Sequence, residues 1–296
     1  MLSDNLNSQL KLHLIVFIWG FTAILGKFIS LEALPLVWFR MLFAVGFIFI
    51  YIKFKKIASA ISARTLLLFL LSGCIIALHW FTFFKAIKVS NVSVTLACLA
   101  TGSFFAAFLE PLFYKKKVVY YEAFFGVLVF VGVYVIFKFE GNYTTGILLA
   151  LLSAFLSALF AVINSKFVKQ HDATIISFYE LGGGVLFLTL ILAVSGGFSA
   201  TFFQLSINDF WYLMLLSSIC TAYAFIVSTS VMKFLSPFTV MLTVNLEPIY
   251  GIILALFFFK NTEQMKTEFY FGAVIILISV ILNSIFKSKR NKLIKK

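Results

Sequence analysis

Charged and strongly polar side chains set inside long apolar runs are where this sequence could do chemistry. The clearest case is the run 236–259, with Asn245, Glu247 and Pro248 near its middle. An ionisable group at bilayer depth costs at least about 2.5 kcal/mol, which makes it a functional-site candidate. A carboxylate there can hold a cationic group or take up and release a proton. Pro248 frees a backbone carbonyl one turn upstream. Such a broken, polar helix is tolerated at depth only against protein or a water-filled cavity. Asn245 and Glu247 are two residues apart, about 200° around a helix, so they cannot both face one cavity squarely. The competing role for Glu247 is a hydrogen bond to a neighbouring helix.

Other apolar runs carry further candidates. Glu180 follows Tyr179 and precedes Gly182-Gly183-Gly184. Triple glycine permits close helix approach or a bend, so this stretch is either cavity lining or a packing seam. His79-Trp80 stands one turn before Phe83. The imidazole can titrate near neutral pH, and the rings could stack a planar or cationic ligand. Against this, Trp80 could pack at the membrane interface and His79 could be a satisfied interhelical bond. Arg40 lies within another run, and Lys88 ends a third. Both have stems long enough to snorkel to the interface. Glu110 is about one turn from Lys115-Lys116-Lys117, which favours a local ion pair. Trp19 reads as packing. No catalytic arrangement and no Gly-rich nucleotide loop with its lysine occurs, so no ATP-driven mechanism is expected.

The surrounding chain decides what positions these groups. Of its 296 residues 62% are hydrophobic and 12% charged, with a mean hydropathy of +1.07. Soluble domains sit near 45–50% apolar and about 25% charged. A polytopic membrane protein follows, with the lipid bilayer as its solvent. The net charge of +13 then reflects Lys and Arg collected in cytoplasmic loops, and nucleic acid is not an expected partner. Cys74, Cys98 and Cys220 sit inside apolar runs with neither a disulfide nor a metal-ligand pattern. No cofactor is expected. The first apolar run lacks a signal-peptide cleavage site and reads as a retained helix.

Ten apolar runs are long enough to span: 10–29, 35–52, 66–84, 92–113, 120–139, 146–168, 174–194, 210–232, 236–259 and 268–286. With the N-terminus in the cytoplasm, seventeen Lys and Arg fall inside, six of them in the tail from Lys287. Five, namely Lys85, Lys88, Lys138, Lys260 and Lys266, fall outside. The bias places both termini in the cytoplasm and the connection 195–209 outside.

The chain also repeats itself. Gly26-Lys27-Phe28 matches Ser165-Lys166-Phe167 at a shift of 139 residues, and Phe39 falls on Phe178. Beyond the connection 53–64 the shift becomes 146. Ser90-Asn91-Val92-Ser93 then falls on Ser236-Pro237-Phe238-Thr239, and Phe125-Gly126 on Phe271-Gly272. The change of shift is confined to a loop, as expected of a duplication. The expected fold is all-α, with ten transmembrane helices as two inverted five-helix repeats, residues 1–140 and 141–296. Five spans per unit force the second unit to enter the membrane upside down. Inverted repeats with a site between the halves are a transporter signature. Thr101 is the repeat partner of Glu247, so the acid occurs in one half only.

Trp19-Gly20, Pro35 with Arg40, Ala86-Ile87 before Ser90-Asn91-Val92-Ser93, Leu246-Glu247-Pro248, and Glu263 before the Gly272 helix occur in that order. With the duplication, the chain resembles the EamA-type ten-helix permeases of the drug/metabolite transporter superfamily over essentially its whole length. It departs from them where the fourth helix of the first unit ends. A Gly-Glu-Arg-like turn is usual there; here stands Lys115-Lys116-Lys117, with Glu110-Pro111 earlier. The resemblance implies a central cavity and export or facilitated passage of small metabolites such as amino acids, from a plasma (inner) membrane location. The expected substrate-binding set is Arg40, His79, Trp80, Thr101, Tyr179, Glu180, Asn245 and Glu247, around one cleft. Glu247 makes the proton the candidate coupling ion, while the oligomeric state is left open. The alternatives are a membrane-embedded enzyme using His79 with Glu180 or Glu247, and a signalling or scaffold protein without transport.

Overall fold

A computed structural model of the chain describes residues 4–294 other than Lys116, Val118, Glu140, Asn261, Thr262 and Gln264. Lys116, Lys295 and Lys296, part of the charge bias, lie outside the described residues, as does Glu140 at the expected boundary between units. The helices in chain order are α1 (Asp4–Phe28), α2 (Ala33–Lys55), α3 (Ala63–Val89), α4 (Val92–Leu99), α5 (Gly102–Tyr114), α6 (Tyr120–Phe139) and α7 (Thr144–Phe167). Then come α8 (Ala173–Val194), α9 (Ile207–Ser217), α10 (Ala224–Val231), α11 (Pro237–Val244), α12 (Glu247–Phe258) and α13 (Thr267–Ile294). No strand occurs among the described residues.

Eight helical stretches are long and apolar enough to cross a membrane: α1, α2, α3, Val92–Tyr114, α7, α8, Ile207–Val231 and Pro237–Phe258. Two shorter apolar stretches, Phe124–Ile136 and Thr267–Asn283, lie within α6 and α13. Large apolar side chains such as Phe54, Leu112, Phe257 and Ile253 stand exposed around the outside. In water such a surface would drive association; in a bilayer it is solvated by lipid.

Several helices run past the apolar runs that mark them. Hydropathy reports membrane thickness, whereas capping groups report where a helix ends. α3 starts a turn early because the Ser62 hydroxyl accepts from the Thr65 amide. α9 starts at Ile207 because the Ser206 hydroxyl accepts from the Asp209 amide. These are N-cap bonds, each contributing about 1 kcal/mol.

Three spans are irregular within their length. Val92–Tyr114 is interrupted at Ala100–Thr101, where the Thr101 amide reaches back only three residues, to the Cys98 carbonyl. The Thr101 hydroxyl donates to that same carbonyl at 2.8 Å. Pro237–Phe258 is interrupted at Asn245–Leu246, where the Leu246 amide bonds the Thr243 carbonyl. Pro248 explains the second interruption, since it has no amide to continue the ladder. Between α9 and α10 the segment Ser218–Tyr223 is π-helical, a local widening frequent at functional sites.

Packing is set by small residues at the helix contacts. α3 lies against α7 and α8. A Cβ on Gly73 would collide with the Glu180 carbonyl, and one on Gly183 with the backbone of Leu70. Gly182 meets nothing. The triple glycine therefore presents one bare edge to α3. α6 and α13 pack chiefly on each other, away from the core around α3.

Candidate functional site

One cavity lies among α1, α2, α3, α4, α7, the π segment, α10, α11 and α12, with a volume of about 60 Å³. At roughly 10–15 Å³ per water, it has room for about four to six waters and no sizeable ligand as it stands. Arg40, His79 and Trp80 face it from the N-terminal half of the chain, and Glu247 from the C-terminal half. The remaining wall is largely apolar, including Phe83, Phe160, Phe225 and Met241.

Arg40 is 2% exposed. Its Nε donates to the Thr221 hydroxyl at 2.7 Å, and its guanidinium carbon lies 3.9 Å from the centre of the Trp80 ring. Phe84 lies on the same group at 5.4 Å. Nη1 is buried without a hydrogen-bond partner. A desolvated cation–π contact contributes about 2 kcal/mol, well below the several kcal/mol it costs to bury an ion. Thr221 can meet Arg40 because the π turn redirects it; its own hydroxyl donates to the Leu216 carbonyl, five residues back. The same turn offers the Cys220 carbonyl to Trp19 Nε1 at 3.1 Å.

Glu247 is 6% exposed and opens onto the same cavity, at the first position of α12. It feels the charge of Arg40, yet no direct ion pair joins the two. A buried cation with an unpartnered N–H and a buried carboxylate thus share one small space.

His79 is fixed on its other side. Nδ1 lies 2.9 Å from the Ser153 carbonyl, and the Ser153 hydroxyl donates to the His79 carbonyl at 3.0 Å. A carbonyl only accepts, so Nδ1 is the donor of that bond. Phe160 packs on the imidazole at 5.6 Å.

A family model described as the EamA-like transporter family matches residues 9–138 and 144–285. The chain belongs to the EamA-like transporter family. It is accordingly a multi-pass membrane protein of the drug/metabolite transporter type. No match is found among curated proteins. Among the solved structures that resemble this chain, one crystal structure does so with a TM-score of 0.69 at 11% identity, covering 96% of this chain and 98% of the other. At that identity the likeness carries the fold alone.

The other expected residues of this EamA-family chain lie off the cavity. Glu180, fully buried, accepts from Asn164 Nδ2 at 3.0 Å in the seam between α7 and α8. Tyr179 points to the end of the bundle, its hydroxyl donating to the Ser59 carbonyl at 2.9 Å. Thr101 is consumed by the interruption it closes. Asn245 donates to the Ser103 hydroxyl at 2.8 Å, joining one interrupted span to the other, and lines a separate hollow with Thr243 and Leu246. The 200° between Asn245 and Glu247 is realised as two different faces. Lys88 leans back onto the Ile29 carbonyl, as a snorkelling lysine does. Trp19 and Thr221, by contrast, belong to the site. Trp19 reads as packing in the sequence, and nothing there marks a π turn at Thr221.

Proposed function

We propose that this protein is a secondary transporter, an exporter or facilitator, of small polar metabolites such as amino acids, working by alternating access around the Arg40–Glu247 cavity. The observation that carries the reading is that pair: a guanidinium and a carboxyl group from the two halves of the chain, buried in one cavity and not bonded to each other. A solute with both an acidic and a basic group completes both, and so does water when the solute leaves. Burial without mutual pairing is costly for a merely structural pair. Arg40, Trp80, His79 and Glu247 are the proposed substrate contacts. Thr101, Tyr179, Glu180 and Asn245 are proposed to hold the helices that present them.

The proposed architecture is ten spans in two inverted five-helix repeats, 1–140 and 141–296, in the plasma (inner) membrane with both termini cytoplasmic. Support comes from the 139- and 146-residue shifts, the two family matches, and interruptions at 100–101 and 245–246, within one residue of the later shift. Discontinuous helices at a site between halves are a recurring transporter device. The proton is the proposed coupling ion, through Glu247. The enzyme reading needs His79 beside an acid. Glu180 is engaged with Asn164 in the helix seam; Glu247 shares the cavity with His79, whose Nδ1 is held by Ser153, and no bond joins the two, so the transport reading is preferred.

A ligand screen on purified protein tests binding at this site. A substrate at a hundred times its Kd stabilises by about 2.7 kcal/mol and raises the melting temperature. The expected result is a rise with at least one small polar metabolite, lost in Arg40→Lys and Glu247→Gln. A panel of amino acids, amines and carboxylates with no effect on wild type contradicts the reading.

A further inference from the structure

Two buried carboxylates, at opposite ends of the bundle, each hold the start of a helix from the other half of the chain. Glu263, fully buried in the connection before α13, accepts from the Val92 amide at 3.1 Å, the Ser93 amide at 2.9 Å and the Ser93 hydroxyl at 2.8 Å. Lys27 Nζ, in the last turn of α1, pairs with it at 2.6 Å. The Asn91 side chain caps the Val94 amide. The orphan amides of the first turn of α4 are thus met by Glu263 and Asn91 together, with the carboxylate at the positive end of the helix dipole. A single side chain ties α1 and α4 to the connection between α12 and α13.

The mirror contact stands at the other end. Glu110 of α5 accepts from the Phe238 amide, in the first turn of α11, at 3.1 Å. The 146-residue shift places Val92 on Phe238, but Glu263 on Lys117. The carboxylate is missing at the repeat-related position, and Glu110, two turns upstream, reaches the amide instead. The contact is kept at both ends although its sequence position is not. The two helix starts held in this way belong to the two spans interrupted at mid-length, and both spans line the cavity, through Leu99 and through Val240 and Met241. Near Glu263 a further tie joins the halves: the amide and hydroxyl of Ser30 donate to Asp209 at 2.7 and 2.6 Å. The cavity lining instead extends towards Glu110, to Met232 and Val240.

We propose that Glu263 and Glu110 are the latches of the two gates. Release of Val92, Ser93 and Lys27 from Glu263 opens the end at which α4 begins. Release of Phe238 from Glu110 opens the end at which α11 begins. Alternation consists in breaking one while the other holds. This rests on the transport reading, but its readout is access to the cavity, so a failed flux assay and a failed latch are separate outcomes.

The test uses the full chain with its three cysteines replaced and a reporter, Ser157→Cys, on the cavity wall. A membrane-impermeant maleimide is applied to sealed vesicles of either orientation. Glu263→Gln is expected to raise labelling about tenfold from the face where α4 begins and not from the other, about the effect of losing one charge-assisted hydrogen bond. Glu110→Gln is expected to raise it from the opposite face only. Ser93→Ala removes one of the four contacts, the hydroxyl's, and gives the same one-sided rise, smaller, which keeps the test valid if Glu263→Gln does not fold. Unchanged labelling in folded variants, or an equal rise from both faces with either variant, overturns the proposal.

Discussion

The guanidinium of Arg40 lies over the ring of Trp80 at 3.9 Å, with Thr221 fixing its Nε and Nη1 left without a partner. Lysine can supply the charge but neither the planar stacking group nor the Nε donor. Arg40→Lys is therefore expected to fold and to lose at least about tenfold in substrate affinity or flux, since the two contacts together exceed 1.4 kcal/mol. Equilibrium binding on the purified variant checks this. Wild-type affinity in Arg40→Lys would show that the stacked geometry is incidental.

Among the described residues Glu247 is the one carboxylate on the cavity wall, and no ion pair joins it to Arg40. If it exchanges the coupling proton, substrate flux varies with pH in wild type and ceases to vary in Glu247→Gln, which nearly keeps the volume. A structural Glu247 gives another result: a lowered melting temperature with an unchanged pH profile. Flux against pH, with melting temperature in parallel, separates the two.

The glycine run predicts a sharp contrast between neighbours. Gly183→Ala drives a Cβ into the Leu70 backbone and is expected to cost about 1–3 kcal/mol, as overpacking does. Gly182→Ala meets nothing and is expected to be neutral or to stabilise by up to about 1 kcal/mol through helix propensity. Melting temperatures of the two variants in the same detergent check this.

Much of this is legible in the sequence for a physical reason: an ionisable or aromatic-cationic group in an apolar run has few affordable places. That argument finds Arg40, His79, Trp80 and Glu247, and the structure gathers those four on one cavity. It also selects Glu180, whose Oε2 accepts from Asn164, sixteen residues away on another helix, while its Oε1 is buried without a partner. Thr101 and Asn245 look like cavity groups because hydropathy treats their spans as continuous. The interruptions at Ala100–Thr101 and Asn245–Leu246 turn both side chains to backbone and interhelical bonds. The π turn at Ser218–Tyr223 has no compositional mark, so the roles of Thr221 and Trp19 appear only in three dimensions. Glu110 reads as a partner for the nearby lysines, because nothing local announces an amide 128 residues away.

Topology has its own check. With both termini cytoplasmic, a cysteine at Ser199 in a cysteine-free chain is expected to label from outside intact cells with an impermeant reagent. A cysteine at Lys289 is expected to label only after permeabilisation. The reverse pattern would invert the orientation while leaving the cavity geometry untouched.

Transport itself is measured most directly in proteoliposomes loaded in turn with small amino acids, amines and carboxylates. The wild-type protein is predicted to move at least one of them well above protein-free vesicles, and folded Arg40→Lys and Glu247→Gln to move it at least about tenfold more slowly or without pH dependence. Flux of no candidate above the protein-free level, or flux identical in all three proteins, would contradict the account.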